Sequence, residues 1–176
     1  MITAGFIPNM ARDRVATRCG IGYDSHRLVP GGPLVLGGVR IPVPLSLSGH
    51  SDGDAVAHAI TDAVLGAAGA GDIGEMFPDS EAVNRNRDSI EMLRVAVARA
   101  AMHGWRPAYV DVTVIAEQPR LAPHRAAMRA ALAAALGVEA GAVNVKGKTN
   151  EGMGWIGRGE GIACIAVATL EQRDDG

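Results

Sequence analysis

Asp24, His26 and His58 are the side chains whose types and spacing most directly suit chemistry in this sequence. Asp24 and His26 stand two apart at the end of residues 19–23, which read as a short strand, so a period of two turns both side chains to one face. His58 lies one turn along from Asp54, on a segment whose Val56, Ile60, Val64 and Ala67 form a helical stripe. A helix packed beside that strand end gathers two imidazoles and a carboxylate. This donor set suits zinc, and three protein ligands leave a fourth position open, as catalytic sites do. A plainer reading puts Asp24 in a turn and makes His58 a hydrogen-bonded surface histidine.

Two further patches adjoin this one. His50 and Ser51 precede the helix start, where backbone amides favour anions, and Asp52 or Asp54 can cap the helix. Asp62 falls one turn beyond His58 and can orient its imidazole or simply stand in solvent. Farther on, residues 146–161 read KGKTNEGMGWIGRGEG. Glycines there permit close backbone approach, while Lys148, Thr149 and Arg158 can contact phosphate oxygens. Glu151 can hold a hard cation such as magnesium, which takes one or two carboxylates plus substrate phosphates. Gly152, Gly154 and Gly157 fit a dinucleotide-binding spacing, but a strand follows them where that motif requires a helix. Gly20 and Gly22 lack its third glycine. No Walker, HExxH or GxSxG pattern occurs.

The elements that must position these residues form one α/β domain. Residues 34–41 read as a hairpin turning at Gly37-Gly38. Pro42 and Pro44 interrupt, and a polar loop follows. Helices are expected over 54–68, 88–103 and 122–136, and strands over 110–114, Val143–Lys148 and 161–170. Residues 69–86 form a long loop, and such loops are usually functional. The expected architecture is a mixed four-stranded sheet with helices on one face, over residues 18–173, preceded by a loose tail over 1–17. The last strand is apolar at nearly every position, so its second face needs a cover, which a partner subunit can supply.

Composition fits this picture. The 176 residues are 48% hydrophobic and 20% charged, with a formal net charge of -2, so no general polyanion surface points to nucleic acid. Aromatics are only 3%, leaving the core to aliphatic side chains. No apolar run suits a membrane span. Two distant cysteines, Cys19 and Cys164, form neither a disulfide framework nor a thiolate metal site and suit a reducing compartment.

Several long segments resemble the 2-C-methyl-D-erythritol 2,4-cyclodiphosphate synthase family. They are GYDSH at 22–26, LGGVRIP at 36–42, GHSDGDAVAHAITDAVLGAAGAGDIGEMFPDS at 49–80, DVTVIAEQPRLAPH at 111–124 and VNVKGKTNEGMGWIGRGEGIA at 143–163. The resemblance implies a cytoplasmic homotrimer of the non-mevalonate isoprenoid pathway, with active sites between subunits. The substrate would be a cytidine diphosphate ester whose 2-phosphate attacks the β-phosphorus and expels CMP. Asp24, His26 and His58 match the family's zinc ligands, and Glu151 the ligand of a second ion, magnesium or manganese. His50 and Thr149 match positions that steady the transition state, and Ser51 lies with them on the substrate. Asp72, Ile73 and Gly74 match ribose contacts. Phe77, Pro78, Asp79, Ser80 and Glu81 match the loop over the methylerythritol portion. Ala116, Glu117, Gln118, Pro119, Arg120, Leu121 and Ala122 match the wall of the cytosine pocket. Arg158 matches a phosphate-side contact, and Lys148, Asn150 and Trp155 fall among the substrate contacts with Asp24, Ser25 and His26. The chain departs from the family pattern at Ser25, where Val is frequent, at Trp155, where Phe is common, and at Lys148, which replaces a common Thr.

A metallohydrolase with the same three ligands is the alternative enzyme, and a module with a structural metal the non-enzymatic one. Structural zinc sites usually close with a fourth Cys or His, which this cluster lacks.

Overall fold

The computed structural model describes residues 15–173; the tail reading for residues 1–14 lies outside them. The strand expected to stop near Asp24 runs on. β1 spans Thr17–Pro30, because Leu28, Val29 and Pro30 find a partner in β4 (Leu45–Leu47). This corrects the expected sheet from four strands to five, in the order β4-β1-β7-β5-β6, with β5 (Trp105–Ile115), β6 (Val143–Lys148) and β7 (Gly161–Gln172). β4 escaped notice because it is three residues long and follows Pro44. A proline is tolerated beside an edge strand, where no ladder hydrogen bond is lost. The sheet is mixed as expected: β5 and β6 are parallel, while β7 is antiparallel to both β1 and β5. The hairpin of β2 (Leu34–Leu36) and β3 (Val39–Ile41) forms its own two-stranded sheet, turning at Gly37 and Gly38.

Helices cover one face. α1 (Ala55–Ala68) lies against β1 and β7, α3 (Ser89–Met102) packs on α1 and β5, and α4 (Arg125–Leu136) packs on β6 and β3. α4 begins three residues later than expected, since residues 122–124 form a turn. α1 is buried nearly all round, more than its sequence stripe implies, because the sheet takes one side and α3 the other. The long loop contains the short α2 (Ile73–Met76) and a 3-10 turn, Ala82–Asn84. A second short helix, α5 (Gly154–Gly157), lies in the glycine-rich segment.

The opposite sheet face is bare. Ile21 and Tyr23 from β1, Tyr109 from β5, and Ile165 and Val167 from β7 remain exposed. The alternate residues Val110, Val112, Cys164, Ala166 and Ala168 are fully buried under the helices. Among the described residues no helix is long and apolar enough to cross a membrane.

Candidate metal centre and clefts

The helix-facing residues of β1 are Gly20, Gly22, Asp24 and His26. A Cβ placed on Gly20 would lie 2.1 Å from the Ala63 carbonyl oxygen, and one on Gly22 only 1.9 Å from that of Ala59. α1 therefore rests directly on the β1 backbone. Its course from Ala63 past Ala59 carries His58 to Asp24, where side chains resume. The helix is anchored there by Asp54, whose fully buried carboxylate accepts from the amides of Val56 and Ala57 and from those of Gly37 and Gly38 in the hairpin turn. Burial pushes the Asp54 carboxyl up, against the hydrogen bonds from the Gly38, Gly37 and Ala57 amides.

Asp24, His26 and His58 meet as expected, with one ligand atom from each lying within 4.8 Å of the others. His26 Nδ1 lies 2.7 Å from Asp24 Oδ2 and His58 Nδ1 3.5 Å from it. The closer approach lacks hydrogen-bond geometry, so Asp24 Oδ2 and His26 Nδ1 are buried without a partner. Two orphaned acceptor-capable atoms aimed at one point fit a shared cation. Burial opposes ionisation of Asp24, but the two imidazoles outweigh it and hold its carboxyl at about 2. Burial likewise opposes charge on His58, yet Asp24, with Asp54 and Asp52 behind it, raises its pKa. The surroundings thus favour positive charge at this point, whether a proton or a metal.

His26 and His58 lie at the floor of a cleft of about 450 Å³, which His50, Ser51, Ile73, Gly74, Phe77, Pro78 and Asp79 also line. His50 Nδ1 faces Asp79 Oδ2 at 3.3 Å. Asp72 caps α2 through the Glu75 amide. Asp62 does not orient His58, as the sequence had implied; its carboxylate accepts from the Ile73 amide at 2.8 Å and fastens the cleft wall. Ser80 and Glu81 lie beyond Asp79 in an adjoining hollow with Arg85. Asn84 and Met92 also line the main cleft and went unrecognised in the sequence. Asn84 donates to the Pro78 carbonyl, and Arg87 stacks over Phe77, so together they hold the loop. Gly49 packs against the His26 ring, where a Cβ would lie 2.9 Å from Nε2.

The remaining predicted residues gather elsewhere. Ala116, Glu117, Pro119, Arg120, Leu121, Ala122, Lys148 and Thr149 line a second cleft of about 190 Å³. Gln118 lies in the same turn, joined to Pro119 by a cis peptide bond. Glu117 accepts from the amides of Asn150 and Gly152 and so braces the turn carrying Glu151. Thr149 donates to Glu151 Oε1 at 2.6 Å, and Glu151 adopts a φ of 52°, presenting its carboxylate to solvent. Ser25 faces away from Asp24, into a hollow shared with Arg27, Trp155 and Glu160. Arg158 is paired with Glu160 at 2.6 Å.

A partly buried Asp/His/His set between strand and helix, opening into a cleft, defines an α/β domain with a candidate metal site. The YgbB family profile matches residues 17–171, and the chain belongs to this family. The 2-C-methyl-D-erythritol 2,4-cyclodiphosphate synthase of Gemmatimonas aurantiaca is 61% identical over 153 residues, covering 87% of this chain and 92% of that protein. The bifunctional IspDF of Campylobacter jejuni is 38% identical with a TM-score of 0.88, over 92% of this chain and 44% of that one. IspF of Plasmodium falciparum, solved as a CDP complex, is 33% identical with a TM-score of 0.79, over 92% of this chain and 100% of that one.

Proposed function

We propose that the protein converts 4-diphosphocytidyl-2-C-methyl-D-erythritol 2-phosphate to 2-C-methyl-D-erythritol 2,4-cyclodiphosphate and CMP, in non-mevalonate isoprenoid precursor biosynthesis. One observation carries the reading: the Asp24/His26/His58 set opens into a cleft, in a chain 61% identical to a protein named for this reaction. An oxygen of the 2-phosphate attacks the β-phosphorus, the bond from that phosphorus to the bridging oxygen breaks, and CMP departs with the electron pair. Such transfer depends on positioning and charge neutralisation rather than on a protein nucleophile. Divalent cations, zinc at the triad and magnesium or manganese at Glu151, supply that neutralisation. His50 and Ser51 bind phosphate oxygens beside the triad, and Phe77, Pro78 and Asp79 close over the methylerythritol portion. Ala116, Arg120 and Leu121 hold the cytosine, with Lys148 and Thr149 on the phosphate side.

The assembly we assign is a homotrimer in which the triad cleft of one subunit faces the second cleft of its neighbour. The bare apolar sheet face and the separation of the two clefts support it. The two free cysteines suit a reducing compartment, and we assign the protein to the cytoplasm. Incubation with the cytidylyl substrate and magnesium, followed by phosphorus NMR, tests the reaction. CMP with a cyclic diphosphate is expected. CMP with a linear methylerythritol product would make the protein a hydrolase.

A further inference from the structure

Behind the metal centre, His58 meets two hydroxyls and a carboxylate to which neither composition nor spacing drew attention as a unit. His58 Nε2 lies 2.9 Å from Ser89 Oγ and 3.0 Å from Ser51 Oγ. Ser89 is the first residue of α3 and is fully buried. Its hydroxyl also contacts Asp52 Oδ1, and its amide donates to Asp52 Oδ2 at 3.3 Å. Asp52 is held in turn by the Asp54 amide at 3.2 Å. Two elements, the loop before α1 and the start of α3, therefore converge on one ring nitrogen carried by α1.

The protons in this chain of contacts can be placed by counting donors. A carboxylate only accepts, and a serine hydroxyl has one proton to give. If Ser89 gave its proton to His58, its oxygen and the Asp52 oxygen would be two acceptors in contact. Ser51 Oγ, at 3.4 Å, is a more distant acceptor than the charged Asp52 carboxylate, so the Ser89 proton goes to Asp52, and Ser89 Oγ accepts from His58 Nε2–H. Ser51 Oγ already accepts from the Gly53 amide at 3.1 Å and can share the same Nε2 proton. In the neutral ring this leaves the lone pair on Nδ1, the atom that faces Asp24. A lone pair opposite a carboxylate favours a cation between them, a proton or a metal, so the same contacts that fix the tautomer also favour the ion.

We propose that Asp52 and Ser89 are positioning residues that lock His58 in its Nε2–H tautomer and thereby present Nδ1 to the metal. The proposal rests on the assignment of Asp24, His26 and His58 as metal ligands. Partners of this kind typically change metal affinity about 10–100-fold when removed.

The test compares Ser89→Ala, Asp52→Asn and His58→Ala with the unaltered full-length protein. Metal affinity is read by competition with a chromophoric chelator, coordination by the visible spectrum of the cobalt-loaded protein, and the tautomer by nitrogen-15 NMR of labelled histidine in metal-free protein. The unaltered protein should show a protonated Nε2 on neutral His58. Ser89→Ala should mix the tautomers, shift the cobalt spectrum and weaken binding about 10–100-fold. Asp52→Asn keeps its size, gives the same direction with a smaller change, and serves if Ser89→Ala does not fold. His58→Ala separates the two claims. If it retains full metal, the ligand assignment has failed. If it loses metal while both other variants keep the original affinity and spectrum, or if native His58 carries its proton on Nδ1, the relay is overturned and the ligands stand.

Discussion

Gly22→Ala should uncouple the two halves of the metal triad without touching a ligand. The added Cβ would lie 1.9 Å from the Ala59 carbonyl oxygen and 2.8 Å from the Ala63 amide nitrogen. Both neighbours are backbone atoms of a buried helix, so no side chain can swing aside. Ordinary contact begins at 3.4 Å, so β1 and α1 must part by about 1.5 Å, the difference between 3.4 and 1.9 Å. Overpacking of this kind costs about 1–3 kcal/mol, and rigid neighbours put it at the upper end. For a domain of this size that lowers Tm by about 6–12 °C. The effect on metal should be larger in proportion. Metal–ligand distances tolerate only about 0.2 Å, while Ala59, the residue being pushed, directly follows His58. Affinity should fall by more than about 100-fold, beyond the loss of an outer hydrogen-bond partner.

Metal content per chain, chelator competition and thermal melting measure these effects together. Gly66→Ala is the control in the same helix: nothing lies within 4 Å of its Cβ position, so it should leave metal binding alone and stabilise by about 0.5–1 kcal/mol. Gly20→Ala meets the Ala63 carbonyl oxygen at 2.1 Å. It should cost similar stability but less metal, being two residues farther from Asp24. If Gly22→Ala melts lower yet binds metal with native affinity, the strand–helix contact does not set the ligand geometry and this reasoning fails.

Other expectations can be checked alongside. Glu151→Gln keeps its size but loses the charge on the turn braced by Glu117; turnover should fall more than about 100-fold with triad metal content unchanged, and near-normal turnover at ordinary magnesium would remove Glu151 from the site. Co-expressed His58→Ala and Glu151→Gln chains should regain activity that neither has alone, because some interfaces pair an intact triad with an intact Glu151; mixed assemblies as inactive as their parents would place the site within one chain. The pH dependence of metal-free protein follows from two shifts of opposite sign. Asp24 is depressed from 3.8 to about 2, so its contribution is present above 3.8 and lost as pH falls toward 2. His58 is raised from 6.5, so its contribution is complete below 6.5 and lost as pH climbs through the higher folded value. The triad's share of the Tm of chelator-treated protein, read as the difference from His58→Ala, should therefore be greatest between about pH 4 and 6.5 and decline above it, with added zinc restoring it; a share still rising between about pH 7 and 8.5 would contradict the arrangement.

Much of the metal centre was legible because its signals are local. A period of two aligned Asp24 with His26, and a helical stripe placed His58 on a packed helix. The long segments at 49–80 and 143–163 carried the family resemblance. What eluded the sequence depends on contacts between distant segments. Gly20 and Gly22 could be read only as a failed dinucleotide motif, since nothing local announces that a helix will rest on them. Ser89 lies 31 residues from His58 and looked like an ordinary residue at the start of a helix. Asp62 had the right helical spacing to support His58, but the Ile73 amide claimed its carboxylate first. β4 required knowing that β1 continued past Asp24.

The same topology gives a physical reason for the divided site proposed above. His26 pairs with Ile162 and Ile115 with Ala163, so the triad strand and the strand leading to Ala116 flank opposite edges of β7 at one level. Two strand spacings, about 9–10 Å of backbone, separate them, with β7 between. A substrate bound in the triad cleft would have to cross that strand to place its base in the second cleft of the same chain. In the proposed trimer a neighbouring subunit would remove the obstacle by bringing its own second cleft to the first. It would also cover Ile21, Tyr23, Ile165 and Val167, whose exposure leaves an apolar face that a lone domain has no helix to shield. A closed ring meets both needs with one repeated contact, so loss of assembly and loss of turnover should travel together when that face is made polar.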